Sequence, residues 1–201
     1  MRTNLSETVP LEGLVSRETQ KRLERLVSLV LKWNPKINLI SPSDEARVWT
    51  RHVNDSLTLV ALLPNTVTRV IDFGSGGGFP GLVIAAVTGA VVELVEADRR
   101  KAVFLTEAAR EMGVSVLVHA TRIENVQLSP SSIITARALA PLTKLLAYAR
   151  PLLTFDGTCL FSKGPHPEYE IVAARKTWRF NEDITQTPVG TIISIRNVER
   201  I

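Results

Sequence analysis

The stretch Asp72-Phe73-Gly74-Ser75-Gly76-Gly77-Gly78-Phe79-Pro80-Gly81 decides how the rest of this chain is read. Val70-Ile71-Asp72-Phe73 is a short apolar run, as in a buried strand. The glycines stop it, and an apolar segment from about Pro80 to Thr88 has helical length. Strand, tight loop, helix is therefore the local prediction. Glycines let a chain turn sharply and bring its backbone N–H groups close to a ligand with no Cβ in the way. Four glycines in five positions, with an acid at the end of the strand, point to a binding loop.

Outward from the loop the same alternation continues. Val91–Val95, Ser115–Val118, Ser132–Ala136 and Gly157–Ser162 read as strands. Asp98 can cap a helix that runs to about Met112 and ends at Gly113, and Pro141 can open another. A short helix follows the loop Lys163-Gly164-Pro165-His166-Pro167. Thr177–Phe180 and Thr191–Arg196 read as two last strands, too close together for a parallel crossover, so at least one runs antiparallel. The N-terminal third is helical. Leu23, Leu26, Val27 and Val30 mark one face of a helix that Pro35 should stop, and a second helix runs from near Ser43 to Pro64 with Trp49, Val53, Leu57 and Val60 on its apolar face. The expected fold is α/β: a seven-stranded, mostly parallel sheet with helices on both faces and a helical N-terminal extension. The expected division is an extension over residues 1–64, packed on a core of residues 65–201.

Composition sets outer limits. At 201 residues, 45% hydrophobic and 22% charged, the chain is an ordinary globular one with enough length for a real core. Its one cysteine, Cys159, lies in an apolar run, can form no internal disulfide, and reads as a small core residue. No apolar stretch of membrane-spanning length and no signal-like start occur, so a cytoplasmic protein with no membrane partner is expected. The net charge of +4 is spread thinly: 9 basic against 7 acidic residues in 1–60, and again 9 against 7 in 61–150. It permits a nucleic-acid partner without demonstrating one. His52, His119 and His166 are far apart with no cysteine pairs, so no metal is expected. The absence of G-x-x-x-x-G-K-[ST] argues against an NTPase.

Two ligand classes fit the loop. Gly76 to Gly81 matches the dinucleotide spacing G-x-G-x-x-G, and Glu96 lies 20 residues beyond Gly76, where a ribose-binding acid belongs. The longer pattern D-x-G-x-G-x-G from Asp72 resembles the cofactor loop of class I methyltransferases that use S-adenosylmethionine. An acid beside the loop suits that cofactor's ammonium group, and Glu96 suits its ribose hydroxyls.

Further segments resemble one family, the bacterial 16S ribosomal RNA guanine-N7 methyltransferases known as RsmG or GidB. They are Trp33-Asn34 with Asn38-Leu39, Arg51 to Leu57, Asp72 to Gly81, Glu96 with Arg100-Lys101 and Phe104-Leu105, Arg122-Ile123-Glu124, Arg137-Ala138 and Lys163-Gly164, in the family's order across residues 33–164. The family often has Asp where Glu96 stands, and residues 165–201 match no motif. The resemblance implies S-adenosylmethionine as cofactor, with contacts at Gly74 and Phe79, at Ile123 and Glu124 beside the adenine, and at Arg137. Asp72, Gly76, Gly78 and Glu96 follow from the broader class I pattern.

It also implies a loop of 16S rRNA in the small ribosomal subunit as substrate. Arg137 and Lys163 are the expected catalytic, orienting residues. Arg51, His52, Arg99, Arg100, Lys101 and Lys163 are the expected RNA contacts, and a monomer is expected. His52 and Asp55 are three apart and also fit a local hydrogen-bonded pair on one helix face. Guanine N7 has a lone pair and no proton, so its methylation needs no general base; hydride transfer would usually need a proton donor, and no residue here is a candidate. Competing readings are another methyl acceptor, a non-catalytic ribosome-assembly factor and a nicotinamide-dependent oxidoreductase.

Overall fold

A computed structural model describes residues 15–201. Seven strands form one sheet: β1 (Arg69–Phe73), β2 (Val91–Val95), β3 (Val116–His119), β4 (Ser131–Arg137), β5 (Leu153–Lys163), β6 (Trp178–Thr187) and β7 (Gly190–Arg200). Their order is β3-β2-β1-β4-β5-β7-β6. All pairs are parallel except those of β7, which runs antiparallel to both β5 and β6. The expected seven-stranded, mostly parallel sheet is thus present, with the antiparallel exception where the short connection required it.

The central strand β1 has its last four residues buried, as a strand covered on both faces must. Six helices accompany the sheet among the described residues: α1 (Arg17–Ile37), α2 (Asp55–Val60), α3 (Gly81–Thr88), α4 (Arg99–Met112), α5 (Leu142–Ala149) and α6 (Glu168–Ala174). On one face α1, α3 and α4 share a core with Val70, Val92 and Leu160. On the other, α5 and α6 pack over Ile71, Ile134, Phe161 and Ile193. Asp98 caps α4 by accepting from the Arg100 N–H at 2.8 Å, and Gly113 ends it in the left-handed conformation, both as the sequence predicts. Cys159 is buried in the second core, and burial pushes its thiol pKa well up.

The first helix does not stop at Pro35. It runs on to Ile37, and the N–H of left-handed Asn38 closes it on the Asn34 carbonyl at 3.0 Å. Proline removes only one donor in a final turn, while the turn positions two useful groups. Ile37 enters the core, and buried Asn34 accepts from the Ile40 N–H at 2.9 Å and donates to Glu45 at 2.6 Å. Leu23, Leu26, Val27 and Val30 are all buried against α3 and α4. At roughly 1.5–3 kcal/mol each as an upper bound, these four side chains alone rival the total stability of a typical domain.

The second helix also departs from expectation. It is broken into a 3-10 segment (Pro42–Arg47), a π segment (Trp49–Asn54) and α2, which ends at Val60 before Pro64. The wider π turn changes which side chains share a face. The Asp55 N–H donates to the His52 carbonyl, but the two side chains do not pair with each other.

Strand order reverses between β1 and β4, so the crevice for a ligand lies at the carboxyl ends of these strands. Glu96 follows β2, the glycine loop follows β1, Arg137 ends β4 and Lys163 ends β5. The fold thus brings four sequence-predicted features to one edge of the sheet.

Candidate active site

The loop after β1 is tied down by backbone bonds. The Gly74 N–H donates to the Val95 carbonyl at 2.8 Å and the Gly78 N–H to the Ser75 carbonyl at 2.7 Å. Gly74, Gly76 and Gly78 all have positive φ, which suits glycine. At Gly74 a Cβ would also come within 2.6 Å of Leu139 Cδ1.

Glu96 links this loop to β2. Its Oε2 accepts from the Gly76 N–H and its Oε1 from the Asp98 N–H, each at 2.8 Å. A carboxylate has about four acceptor positions, so both oxygens keep a lone pair.

Asp72 is placed differently. It is fully buried beneath the loop, where Oδ1 accepts from the Thr135 hydroxyl at 2.7 Å. Burial pushes its pKa up to about 6, against the opposing hydrogen bond from Thr135. It lies under the loop and lines neither of the site's two cavities.

Two cavities flank Leu139 and Ala140. The first, about 360 Å³, is lined by Gly74, Gly76, Glu96, Lys101, Ile123 and Glu124 together with Arg122, Lys144 and Tyr148. Glu124 accepts from the Tyr148 hydroxyl at 2.6 Å, and that bond chiefly holds its carboxyl below the usual range. The second, about 490 Å³, is lined by Arg51, Asp55, Arg137, Ser162, Lys163 and Glu170, with Leu139 and Ala140 forming part of both walls.

Arg137 enters the second cavity from the end of β4. Its Nη2 donates to the Arg51 carbonyl at 3.0 Å, its Nε faces Asp55 Oδ2 at 3.7 Å, and its buried Nη1 has no partner among the described residues. Burial draws its pKa below the ordinary guanidinium value, while Asp55 works the other way.

Lys163 ends β5 in the same wall, with only 7% of its side chain exposed. Its ammonium donates to the Ala140 carbonyl at 2.6 Å and to Glu170 Oε2 at 2.7 Å. The positive charge is therefore paired within the site.

The other predicted residues divide. Phe79 is buried against His52, ring centres 5.1 Å apart, and lines neither cavity. His52 is buried, and its pKa is pushed down to about 3 by desolvation and the nearby Arg137 cation. It is a neutral spacer between Phe79 and Asp44. Arg51 lines the second cavity and faces Asp44 at 3.5 Å. Arg99 and Arg100 are exposed on the first turn of α4, Arg100 being held by Asp98 at 3.1 Å. Lys101 sits in the first cavity.

Sequence reasoning missed Asp44, which gathers Arg47, Arg51 and His52, and Glu170, which lies in a region without a matched motif. Glutamates in the first turn of a helix after a proline-rich loop are common helix-start signals, and nothing local told Glu170 apart from them.

The first cavity suits S-adenosylmethionine. Glu96 has free acceptor positions of the kind ribose hydroxyls need, Ile123 and Leu139 offer apolar surface, and lining side chains of both signs would suit a zwitterionic tail. Its volume falls in the range of ordinary ligand pockets. Among the described residues no group of three or more His, Cys, Asp or Glu could hold a metal, and no helix is long and apolar enough to cross a membrane.

The chain is similar to known methyltransferases in sequence and in fold. The family described as GidB, rRNA small subunit methyltransferase G, matches residues 19–197. The ribosomal RNA small subunit methyltransferase G of Gluconobacter oxydans is 49% identical over 190 residues, covering 93% of this chain and 98% of that protein. The protein of the same name from Cereibacter sphaeroides is 47% identical, covering 93% and 94%. In fold, the chain is similar to the magnesium protoporphyrin IX methyltransferase of Synechocystis PCC 6803, solved with bound SAM. That likeness has a TM-score of 0.62 at 13% identity and covers 85% of this chain and 97% of the other.

Proposed function

The chain belongs to the GidB family, rRNA small subunit methyltransferase G, and from that premise we propose that it methylates N7 of a guanine in a loop of 16S rRNA. It is an S-adenosylmethionine-dependent rRNA methyltransferase. The observation that carries the finer reading is the pair of cavities sharing Leu139 and Ala140, one suited to the cofactor and the other of a size for a base.

When bound, the cofactor supplies an electrophilic sulfonium methyl group. The chain's own residues contribute position and field. Glu96 holds the glycine loop and offers acceptors to ribose hydroxyls, and Ile123 and Glu124 border the adenine end. Asp72 supports the loop from below. Arg137 and Lys163 shape the wall of the base cavity, braced by Asp55 and Glu170. Aligning two bound reactants can supply several kcal/mol, up to about 7–11 in the best cases. No proton has to leave N7, which fits a base cavity with no histidine among its described lining residues.

In duplex RNA, N7 lies in a deep, narrow groove, so the target guanine is unpaired or splayed from its stack. Arg51, Arg99 and Lys101 are the phosphate contacts of this reading, with Arg100 less available because Asp98 holds it. An assembled or nearly assembled subunit is the preferred substrate, because so small and diffusely charged a protein has little means to read sequence alone. The protein acts in the cytoplasm as a monomer, with the helical part of residues 15–64 as an extension of the methyltransferase core of residues 65–201; residues 1–14 of the expected extension lie outside the described residues.

The test is transfer of label from methyl-labelled S-adenosylmethionine to small subunits from cells lacking the modification. Label in the RNA, and little on short naked hairpins, is expected. Cofactor binding without label in RNA would overturn the reading.

A further inference from the structure

We propose that Glu170 reads the Watson–Crick edge of the target guanine and strengthens its hold as the methyl group arrives. The inference rests on the reading above, in which the second cavity takes the base. Two carboxylates line that cavity. Asp55 is occupied: Oδ1 accepts from the Thr187 hydroxyl at 3.0 Å, Oδ2 faces Arg137, and the residue is buried. Glu170 is half spent. Its Oε2 accepts from both the Lys163 ammonium and the Leu142 N–H, each at 2.7 Å, while Oε1 accepts nothing among the described residues. Its side chain is 36% exposed, so this second oxygen belongs to an anchored but accessible carboxylate.

An ionised carboxylate only accepts hydrogen bonds. Guanine presents two neighbouring donors, N1–H and the N2 amine, on the edge away from N7. Adenine presents a bare N1 there, whose lone pair would face the carboxylate. Adenine also has an N7 lone pair, so the reacting atom cannot by itself tell the two purines apart. A fixed acceptor at the opposite edge can, because a mismatch leaves two lone pairs facing each other without a proton.

The same contact serves the reaction. Methylation at N7 places positive charge on the purine and makes N1–H more acidic. A carboxylate bonded to N1–H therefore holds the methylated ring more strongly than the neutral one, which is what lowers a barrier. Lys163 and the Leu142 N–H keep Glu170 from following the base and set which oxygen is left for it.

The test uses small subunits reconstituted with guanosine, inosine or adenosine at the target position. Inosine lacks only the N2 amine. The wild-type protein should methylate guanosine about 10-fold faster than inosine, and adenosine not measurably. In Glu170→Gln the single amide oxygen takes the place held by Lys163 and Leu142, which turns the amide donor toward the base. Guanosine methylation should then fall by about 10- to 100-fold and the guanosine-to-inosine ratio should collapse toward one. A fall with the ratio unchanged would make Glu170 a support for Lys163 alone and overturn the proposal. Equal wild-type rates on guanosine and inosine would overturn it without any variant. Wild-type protein that never methylates N7 would overturn the functional reading as well, so the two failures are distinguishable.

Discussion

The backbone N–H of Gly76 donates to Glu96 Oε2 at 2.8 Å, which makes the glycine loop and the acid of the second strand one unit. The other oxygen of Glu96 is fixed by the Asp98 N–H. Glu96→Ala therefore frees two backbone donors and, in the proposed reading, removes the acceptor for ribose hydroxyls. S-adenosylmethionine should bind about 10- to 100-fold more weakly, as for loss of charged hydrogen bonds. Titration calorimetry checks this, and an unchanged Kd would detach Glu96 from the cofactor.

Asp72 makes stability depend on pH. Its folded pKa is raised from 3.8 to about 6 by burial. The unfolded chain releases this proton at lower pH than the folded one does. The contribution to stability is thus complete below about pH 3.8 and is lost as pH rises through about 6. A shift of about two units corresponds to on the order of 3 kcal/mol. Asp72→Asn removes the titration, so wild type minus variant should fall by roughly this amount between pH 4 and pH 7 in urea unfolding. Parallel pH curves would contradict the assignment.

Arg137 joins three parts of the chain: the end of β4, the Arg51 carbonyl in the π segment, and Asp55. Arg137→Ala leaves the buried Asp55 carboxylate with only the Thr187 hydroxyl. Stability should drop by about 1–3 kcal/mol. Because Arg137 lines the second cavity and not the first, the proposed function predicts that methyl transfer falls by about 10-fold or more while cofactor affinity changes little. Denaturation, calorimetry and single-turnover transfer separate these effects. Normal transfer in a folded variant would remove Arg137 from the mechanism.

The gathering of the glycine loop and Glu96 at one edge of the sheet was legible because its signals are local. A strand, its glycines and an acid 20 residues later lie within one βαβ unit, and the antiparallel run of a last strand follows from its short connection. The caps at Asp98 and Gly113 were legible for the same reason. Pro35 misled because a proline in a final turn costs little when Asn34 and Ile37 have long-range partners. β6 extends to Thr187, well past the predicted Phe180, because its outer half is an edge with exposed polar residues and lacks apolar alternation. Glu170 and Asp44 matter through partners in other elements, which no local pattern encodes.

Arg99 is exposed on the first turn of α4, and unlike Lys101 it lines neither cavity. If it contacts one phosphate, Arg99→Ala should reduce the slope of log affinity against log salt by about 0.7–0.9. Cofactor affinity should stay the same. Filter binding to small subunits at several salt concentrations measures the slope, and an unchanged slope would place the RNA elsewhere.

The central claim is chemical: the methyl group goes to N7 of one guanine. Borohydride reduction followed by aniline cleaves RNA chains at 7-methylguanosine, and primer extension locates the cut. Small subunits lacking the modification, incubated with the protein and S-adenosylmethionine, should show one new cut in a 16S rRNA loop, absent when either is omitted. Incorporated methyl with no such cut would place the methyl on a different atom and contradict the account.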